Sequence, residues 1–538
     1  MAAIGSWGEQ PGNCNRDLKR FLGNVEILPE PFVIRAPCVD TKSSPNIAMY
    51  DELAIFLPHL WFASVFKLDE ADALLGISKI RSFWDHVHPR DPRLIANGGH
   101  PILLVPNFKS MFVPLWLPGD GVEYSKDDSL MVYTCGSVLT TTTSMLAMFY
   151  LASFVKSVTA VLSKHAADTW MDVWSILAWS FEAAWLGIHP SVDWNDQPFP
   201  PESRFRMSSG QQLCGGLRFV IWNLIGDLEF FANTMGLSHW QSHSLCWACN
   251  ASRNSPALDF RINWNGRGWV LYDPVLFHMQ TRHGHKFWHI AGVTSWIACQ
   301  DMLHCLDTKG VNAHLCGSVL HDRIYSSGRP PQQELARIWV RIQELHVESN
   351  AHDSKLVQLQ LSMVCNPAKP QASYPSLHAK GAEIRHLVPI RAKFVAEEND
   401  GSAKARQQLS ALHCMAEFYR LCEHCPMFPS PPEADLALQL METALASYAF
   451  LNREAGSRNR LLYNVVPKVH YAWHLAYNFR FMNPRHTWTY KCESWVGHVS
   501  KIAASCSNGV RLTRLTVPLS EKYMYFVLLR LTRQIFDE

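Results

Sequence analysis

The sequence predicts an α/β protein, and three observations support this prediction. Two apolar runs, 111–117 and 217–225, each lead into a glycine and an aspartate, and the first is rich in β-favouring residues. Segment 169–187 repeats apolar residues at helical spacing. With 48% apolar and 18% charged residues, most of the chain is expected to fold rather than remain disordered.

The N-terminal elements are assigned from apolar spacing and turn residues. Segments 51–58 and 68–87 carry apolar residues three and four positions apart, so residues 1 to about 100 are predicted as mainly helical. The run 111–117 is predicted as a buried strand that ends in a turn at 118–121. Residues 129–143, rich in Thr and Val, are predicted to add further strands.

The later elements follow the same reasoning. The run 217–225 allows either a strand or a helix, and Asp227 follows it after a glycine. Segments 228–235 and 435–450 are predicted as helices. The chain length suggests about three to four domains, or one large core with insertions.

The charge is uneven along the chain. The net charge is only +2, which excludes a protein that is basic over its whole surface. Residues 451–538 hold thirteen Lys and Arg against five Asp and Glu, a local charge of +8. We therefore expect a phosphate-facing surface there, with Lys501, Arg511 and Arg514 as candidate DNA contacts.

The cysteines and the N-terminus indicate an intracellular environment. Fifteen Cys without a secretion signal argue against a disulfide framework. The apolar run 145–161 is interrupted by Lys156 and is short for a membrane span, so a buried element is expected instead. We expect a nuclear protein, with the cytosol as the alternative, and no membrane partner.

Three carboxylates are candidate ligands of Mg²⁺ or Mn²⁺, because these ions prefer oxygen ligands. Asp120 and Asp227 each follow an apolar run and a glycine, at the strand ends where α/β folds hold metal ligands. Glu493 would share one helix face with Gly497 and Lys501. The alternatives are surface-turn aspartates and an exposed glutamate paired with a lysine.

Cysteine and histidine pairs indicate a second kind of site. Cys246 and Cys249 have zinc-knuckle spacing. The partners considered for this pair are His283, His285, His289 and Cys299. Cys422 and Cys425 are a second pair, better explained as reduced thiols of the core.

Two further pairs lie one helical turn apart. Asp301 with His304, and His470 with His474, could each bind a metal or orient a catalytic group. The alternative is a structural histidine. The sequence has no Walker loop, no dinucleotide-binding fingerprint in a βαβ context, no nucleophile elbow and no HExxH motif.

The order of these motifs resembles the DDE transposases of the CACTA (En/Spm) type, and more distantly the Kyakuja–Dileera–Zisupton group. Five short motifs between about 110 and 510 carry the resemblance. They are Asp120-Gly-Val, Gly226-Asp227 with Cys246-x-x-Cys249, Asp301-x-x-His304, Pro467-Lys-x-His470-x-x-x-His474, and Cys492-Glu493-x-x-x-Gly497. Three features depart from the family pattern: Ser494 replaces the basic residue after the glutamate, Leu228 replaces a phenylalanine, and no DNA-binding finger precedes residue 100.

The resemblance implies an RNase H-like mixed-sheet core interrupted by a large, mostly helical insertion. The implied parts are an N-terminal region 1–100, a first core part 101–250, an insertion 251–465, and a last core part 466–538 that carries Glu493 and the basic tail. Asp120, Asp227 and Glu493 become the metal-binding triad for cleavage and strand transfer at transposon ends. The residues at 246, 249, 301 and 304 become accessory signature residues.

Two alternatives remain open at the level of sequence. One is a catalytically inactive, transposon-derived protein that binds DNA or protein through the same fold. The other is a scaffold stabilised by zinc at Cys246 and Cys249. The oligomeric state is also open, and a homo-oligomer is one option.

Overall fold

Two β-sheets are the frame of the computed structural model, which describes residues 28–41, 44–261, 268–277, 286–349 and 355–536. The strands are β1 (Phe32–Asp40), β2 (Ser44–Ile55), β3 (Phe112–Glu123), β4 (Ser129–Ser137), β5 (Phe149–Val155), β6 (Arg218–Gly226) and β7 (Ala298–Gln300). Strands β1 and β2 form an antiparallel hairpin, and the other five form one mixed sheet in the order β5-β4-β3-β6-β7.

The mixed sheet changes from antiparallel to parallel at β3. Strands β3, β4 and β5 run antiparallel to one another, whereas β6 is parallel to β3 and β7 is parallel to β6. Seven or more consecutive residues of β3, β4, β5 and β6 are buried. Strands buried on both faces require helices on each side, and this explains their near-continuous apolar sequences. The α/β fold class is therefore confirmed.

Ten helices of eight or more residues occur in the described parts of the chain. They are α1 (Pro58–Val65), α2 (Thr169–Leu186), α3 (Val311–Ser326), α4 (Pro331–Glu348), α5 (Gly381–Glu397), α6 (Ala403–His424), α7 (Pro431–Ser457), α8 (Pro467–Asn478), α9 (Tyr490–Cys506) and α10 (Thr516–Phe536). Shorter helices are Ala71–Leu75, Ile80–His86, Pro92–Ile95, Ser144–Ala147, Leu162–His165 and Arg204–Ser208. None of the helices in the described residues is long and apolar enough to cross a membrane.

Several sequence predictions are confirmed. Helix α2 begins after Asp168, whose carboxylate accepts hydrogen bonds from two first-turn amides, and it ends at Gly187 in a left-handed conformation. Run 217–225, which left strand and helix open, is the strand β6. Segment 228–235 contains the short π-helix Phe230–Thr234. Segment 435–450 lies within the helix α7.

The prediction of a mainly helical region over residues 1 to about 100 is wrong for 32–40 and 44–55, which are β1 and β2, and its residues 1–27 lie outside the described residues. Segment 51–55, assigned to a helix from its apolar spacing, shows the reason. These residues are the end of β2, and they pair with β1 from Phe32 to Ala36. Short apolar runs do not distinguish a strand from a helix, and a tertiary partner decides the outcome. Here β1 supplies the ladder, and the hydroxyl of Thr516 also accepts a hydrogen bond from the N–H of Ala54 at 3.1 Å.

The predicted turn at 118–121 is also wrong. Strand β3 continues to Glu123, with Gly119 opposite Tyr133 and Gly121 opposite Met131. Glycine and proline often mark turns, but here the missing side chain of Gly119 leaves space for a neighbouring ring while the backbone stays extended.

Candidate functional site

Asp120 and Asp227 lie side by side, just beyond the parallel pairing of two neighbouring strands: Asp120 is within β3, and Asp227 directly follows β6. Pro118 of β3 pairs with Ile225 of β6, and each aspartate lies two residues beyond this pair. The pairing contains a one-residue shift earlier in the strands, without which Asp120 would stand opposite Gly226. Because neighbouring strands lie about 4.8 Å apart, the irregularity aligns the two aspartates at one site.

Strand β7 adds a third aspartate to this row. Gly226 of β6 pairs with Gln300 of β7, and the next residues on the two strands are Asp227 and Asp301. Asp301 is buried, with 2% of its surface exposed, whereas Asp120 and Asp227 are half-buried. The sheet therefore brings together three acids that the sequence analysis identified separately.

Asp301 connects the sheet to the helix that carries Glu493. Its carboxylate accepts hydrogen bonds from the N–H of Thr489 at 2.9 Å and from the hydroxyl of Thr489 at 2.7 Å. It also accepts one from Nδ1 of His304 at 2.6 Å. Thr489 directly precedes α9, and Glu493 lies in the first turn of that helix. These contacts hold the first turn of α9 at the carboxyl end of β7.

A second acid, which the sequence analysis missed, holds the same end of α9. The buried carboxylate of Asp307 accepts hydrogen bonds from the hydroxyls of Tyr490 and Tyr419 and from the side-chain amide of Asn312. Burial raises the pKa of Asp307 to about 7, although these hydrogen bonds act in the opposite direction. Asp301 and Asp307 together fix where α9 begins.

The acids share one electrostatic environment with His304. Burial raises the pKa of Asp120 to about 6, and the charges of Asp227 and Asp301 add to this effect. Burial and the charge of Asp301 also raise the pKa of Glu493. Burial alone would lower the pKa of His304, but its hydrogen bond to Asp301 and the charges of the other two aspartates raise it to about 9. The site thus places these carboxylates beside an imidazole whose protonated form they favour.

Two glycines allow the aspartate-bearing strand ends to approach each other. A Cβ added at Gly119 or Gly226 would lie 2.1 Å from the ring of Phe230. The N–H of Phe230 in turn donates a hydrogen bond to Asp227 at 2.6 Å. The ring therefore packs across both strand ends and fixes the segment that carries Asp227.

Substitution of Gly226 by Ala is expected to destabilise the protein by about 2–4 kcal/mol, because the added Cβ would lie 2.1 Å from the ring of Phe230 and 2.9 Å from the backbone carbonyl oxygen of Gly119. The free energy of unfolding in urea measures this effect. Gly456→Ala is the matched control, since a Cβ there meets nothing within 4 Å and Gly456 lies in helix α7. Equal stability of the two variants would show that Phe230 does not constrain the strand ends.

Four buried side chains form a second site, a Cys₂His₂ cluster. Sγ of Cys246 lies 3.4 Å from Nε2 of His474, and Sγ of Cys249 lies 3.3 Å from Nε2 of His470. The two Nε2 atoms are 3.1 Å apart, and all four ligand atoms lie within 4.8 Å of one another. In a tetrahedral zinc site with these ligands, a cysteine sulfur and a histidine nitrogen lie about 3.5 Å apart. The cluster could therefore hold a metal such as zinc.

The local structure explains how the cluster forms. His470 and His474 lie one turn apart on α8, whereas Cys246 and Cys249 lie in the loop after β6. Burial would raise the pKa of Cys246, but its interactions with Cys249 and the two histidines lower it well below the usual value. The indole of Trp269 packs against both imidazoles, at 4.8 and 5.8 Å between ring centroids. A cysteine that is deprotonated and shielded from water is a good metal ligand, so these properties of Cys246 favour metal binding.

The cysteine pair and the histidine pair were each predicted as metal ligands, but not as partners of each other. His283 and His285 lie outside the described residues, and His289 and Cys299 are not part of the cluster. Cys299 instead contacts the side-chain oxygen of Asn223. The missed signal was the combination of C-x₂-C with H-x₃-H, which is typical of zinc sites. Cys422 and Cys425 are buried thiols outside the cluster.

The three predicted DNA-contacting residues have different surroundings. Lys501 lies exposed on α9, two turns after Glu493, and Arg511 is exposed as well. Arg514 forms ion pairs with Asp51 at 2.6 Å and with Glu52 at 3.4 Å. Its guanidinium therefore already binds the N-terminal hairpin.

Two lysines that the sequence analysis did not select lie close to the acids. The charge of Lys380 lowers the pKa of Glu493, against the net upward shift. Burial lowers the pKa of Lys468, and the charges of Asp227 and Asp301 act against this shift. Nζ of Lys468 donates a hydrogen bond to the carbonyl of Thr308 at 2.7 Å. Lys468 therefore lies in the neighbourhood of Asp227 and Asp301, and Lys380 in that of Glu493.

Comparison with protein-family models and with curated proteins gives no match for this chain. The functional assignment therefore depends on the residues and the geometry described above.

Proposed function

We propose that the protein is a transposase-like enzyme that cleaves DNA phosphodiester bonds and transfers strands with two divalent cations. The observation that carries the proposal is the alignment of Asp120 with Asp227 just beyond the parallel pairing of β3 and β6, next to the helix of Glu493. These residues supply hard oxygen ligands, which suit Mg²⁺ or Mn²⁺. Burial, with the charge of Asp301 added to it, raises the pKa values of Asp120 and Glu493, and a bound cation would stabilise the charged form of both carboxylates.

The proposed roles follow from the contacts. When bound, two cations would activate the attacking water or 3′-hydroxyl and stabilise the leaving oxygen. Asp120 and Asp227 would hold these cations from the sheet, and Glu493 would complete the site from α9. Asp301 and His304 are positioning residues, because their hydrogen bonds to each other and to Thr489 fix the start of α9.

The sheet is consistent with an RNase H-like core, which is part of the proposal. Its three antiparallel strands are followed by two parallel ones, and its order is β5-β4-β3-β6-β7. The first and second aspartates lie on the central strands of that order. The helices between β7 and α9 would correspond to the insertion, since 266 residues separate Asp227 from Glu493.

Binding of DNA is proposed to involve the exposed cations around α9. Lys501 shares a helix with Glu493, and Arg511 lies beyond its C-terminal end. Contacts of this kind bind phosphates without reading the sequence. Arg514 is a weaker candidate, because release from Asp51 would have to precede phosphate binding. A nuclear location would follow from this activity.

The proposal is tested by nicking of DNA that carries the terminal repeats of the parent element. Wild-type protein is expected to nick it with Mg²⁺ or Mn²⁺ and not with EDTA, because the carboxylates cannot act without a cation. Agarose electrophoresis of supercoiled and nicked circles measures the reaction.

Equal residual cleavage by wild type and Asp120→Ala would contradict the assignment of the triad. Salt-dependent DNA binding without metal-dependent cleavage by the wild type would favour the alternative, a catalytically inactive transposon-derived binding protein.

A further inference from the structure

A cavity of about 440 Å³ opens beside β7, which is the edge strand of the mixed sheet. Its wall includes β7, the C-terminal half of α8 and the short helix Pro92–Ile95. His474 of the Cys₂His₂ cluster also lies in this wall. Cavities of roughly 300–1,000 Å³ hold small organic ligands, so this cavity has the size of a ligand site.

Several aromatic rings line the cavity. The aromatic residues of its wall, apart from histidines, are Trp247, Tyr272, Trp296, Tyr477 and Phe481. Tyr272, Trp296 and Tyr477 are half-buried, so parts of their rings remain accessible. Aromatic rings stack on planar ligands, and every nucleobase has a planar face of this kind. The wall therefore favours a planar, aromatic ligand.

A pair of amide side chains adds polar groups to this wall. Gln300 is buried, with 4% of its surface exposed, and its Oε1 accepts a hydrogen bond from Nδ2 of Asn478 at 2.9 Å. Nε2 of Gln300 and Oδ1 of Asn478 bind no other group in the described residues, and neither atom is sealed from solvent. The pair thus leaves one donor and one acceptor for a ligand, which is what the edge of a nucleobase requires.

The charge of the wall suits a phosphate group. In the part of the chain that the structure describes, the wall holds three arginines and one carboxylate, a net charge of +2 with the histidines neutral. The carboxylate, Asp91, already binds Arg93 through hydrogen bonds of 2.9 and 2.6 Å. Arg90 is exposed, and Arg480 donates to the carbonyl of Tyr477 at 3.2 Å and packs on its ring. Neither of these two arginines pairs with a described carboxylate, so both can bind an anion.

The cavity adjoins the acid site. Gln300 directly precedes Asp301, and consecutive Cα atoms lie about 3.8 Å apart. Thr487, also in the wall, lies two residues before Thr489, which donates hydrogen bonds to Asp301. A nucleic-acid strand held at the acids could therefore place one unpaired nucleotide in the cavity.

We propose that this cavity binds a single nucleotide. The base would lie among the aromatic rings with its edge at Gln300 and Asn478, and the phosphate would bind Arg90 and Arg480. Bases stack on aromatic rings and guanidinium planes, and arginine binds phosphate strongly. A free nucleotide and an unpaired nucleotide of a strand present the same two groups. The site needs neither a divalent cation nor the three acids, so it goes beyond the proposed cleavage.

Isothermal titration of the full chain without Mg²⁺ or Mn²⁺ tests the site, so its result is separate from that of the cleavage assay. Adenosine monophosphate is expected to bind once per chain. Adenosine and inorganic phosphate are each expected to bind at least about tenfold more weakly, because each keeps only half of the contacts. Inorganic phosphate that binds as tightly as the nucleotide would overturn the proposal, and so would a wild type that binds no nucleotide.

Two substitutions test the phosphate end of the site. Arg480→Gln is expected to weaken binding of adenosine monophosphate by about tenfold. Arg90→Gln is expected to weaken it by at least about threefold, and since Arg90 is exposed this variant covers a failure of Arg480→Gln to fold. Arg485→Gln is the matched control, because Arg485 is exposed outside the cavity wall and should leave binding unchanged. Wild-type affinity in both cavity variants would overturn the proposal.

The base end and the source of the nucleotide have their own tests. Asn478→Ala is expected to weaken both adenosine and adenosine monophosphate by at least about threefold, and unchanged binding of both would overturn the placement of the base. A single-stranded tetranucleotide that displaces adenosine monophosphate, while a blunt duplex of the same sequence does not, would support the site as one for an unpaired nucleotide of a strand. Failure of the tetranucleotide to displace bound nucleotide would support the site as one for a free nucleotide.

Discussion

Replacement of Cys246 by Ser is expected to remove the metal from the Cys₂His₂ cluster and to lower the free energy of unfolding by at least about 4 kcal/mol. The cluster joins the loop after β6 to α8, across a sequence separation of 221 residues between Cys249 and His470. Without a cation, two buried cysteines and two buried histidines would face one another in a dry, aromatic setting. Metal analysis of purified protein and urea unfolding measure the two effects.

The chain offers a matched control for this substitution. Cys425 belongs to the second C-x₂-C pair and is buried, but it lies outside the cluster. Burial raises the pKa of Cys425 to about 11, so it is expected to remain a thiol. Cys425→Ser should retain one zinc per chain. Absence of stoichiometric zinc from the wild type would refute the metal assignment for Cys246 and Cys249.

The second large effect is expected from Asp227→Asn, which should reduce the rate of metal-dependent DNA cleavage by about 10³-fold or more. The substitution keeps the shape of the side chain and its hydrogen bond from the N–H of Phe230. It removes the charge that would bind a cation, so catalysis should fall while the fold persists. The initial rate of nicking at saturating Mg²⁺ measures the loss.

Asp435→Asn is the matched control for the loss of one carboxylate. Asp435 is exposed near the start of α7, in the helical region that precedes α8. This variant should cleave at the wild-type rate. If Asp227→Asn also keeps the wild-type rate, then Asp227 binds no catalytic cation, and the row of aspartates has only a structural role.

The sequence predicted the candidate metal-binding acids Asp120, Asp227 and Glu493 one by one, but not their arrangement. The apolar runs before Asp120 and Asp227 indicated buried segments that end in acids, and the structure has β3 and β6 there. Which acids stand opposite each other depends on strand register. A one-residue shift between β3 and β6 sets that register, and it results from tertiary packing that no local pattern encodes.

Local sequence patterns do not reveal contacts between distant segments. This explains the errors at the N-terminus and in the Cys₂His₂ cluster. Residues 51–55 are strand because β1 pairs with them, and spacing within the segment cannot reveal a partner. The cysteine and histidine pairs carried the spacing of zinc ligands, but their large sequence separation hid their contact. Asp307 was missed because its role depends on Tyr419 and Tyr490, which are also distant in sequence.

The binding of two divalent cations by Asp120, Asp227 and Glu493 can be seen directly by anomalous scattering from crystals grown with Mn²⁺ and a DNA end. We expect two manganese peaks about 4 Å apart, both in contact with Asp120 or Asp227 and at least one in contact with Glu493. A map with no manganese between these three carboxylates would refute the two-metal site.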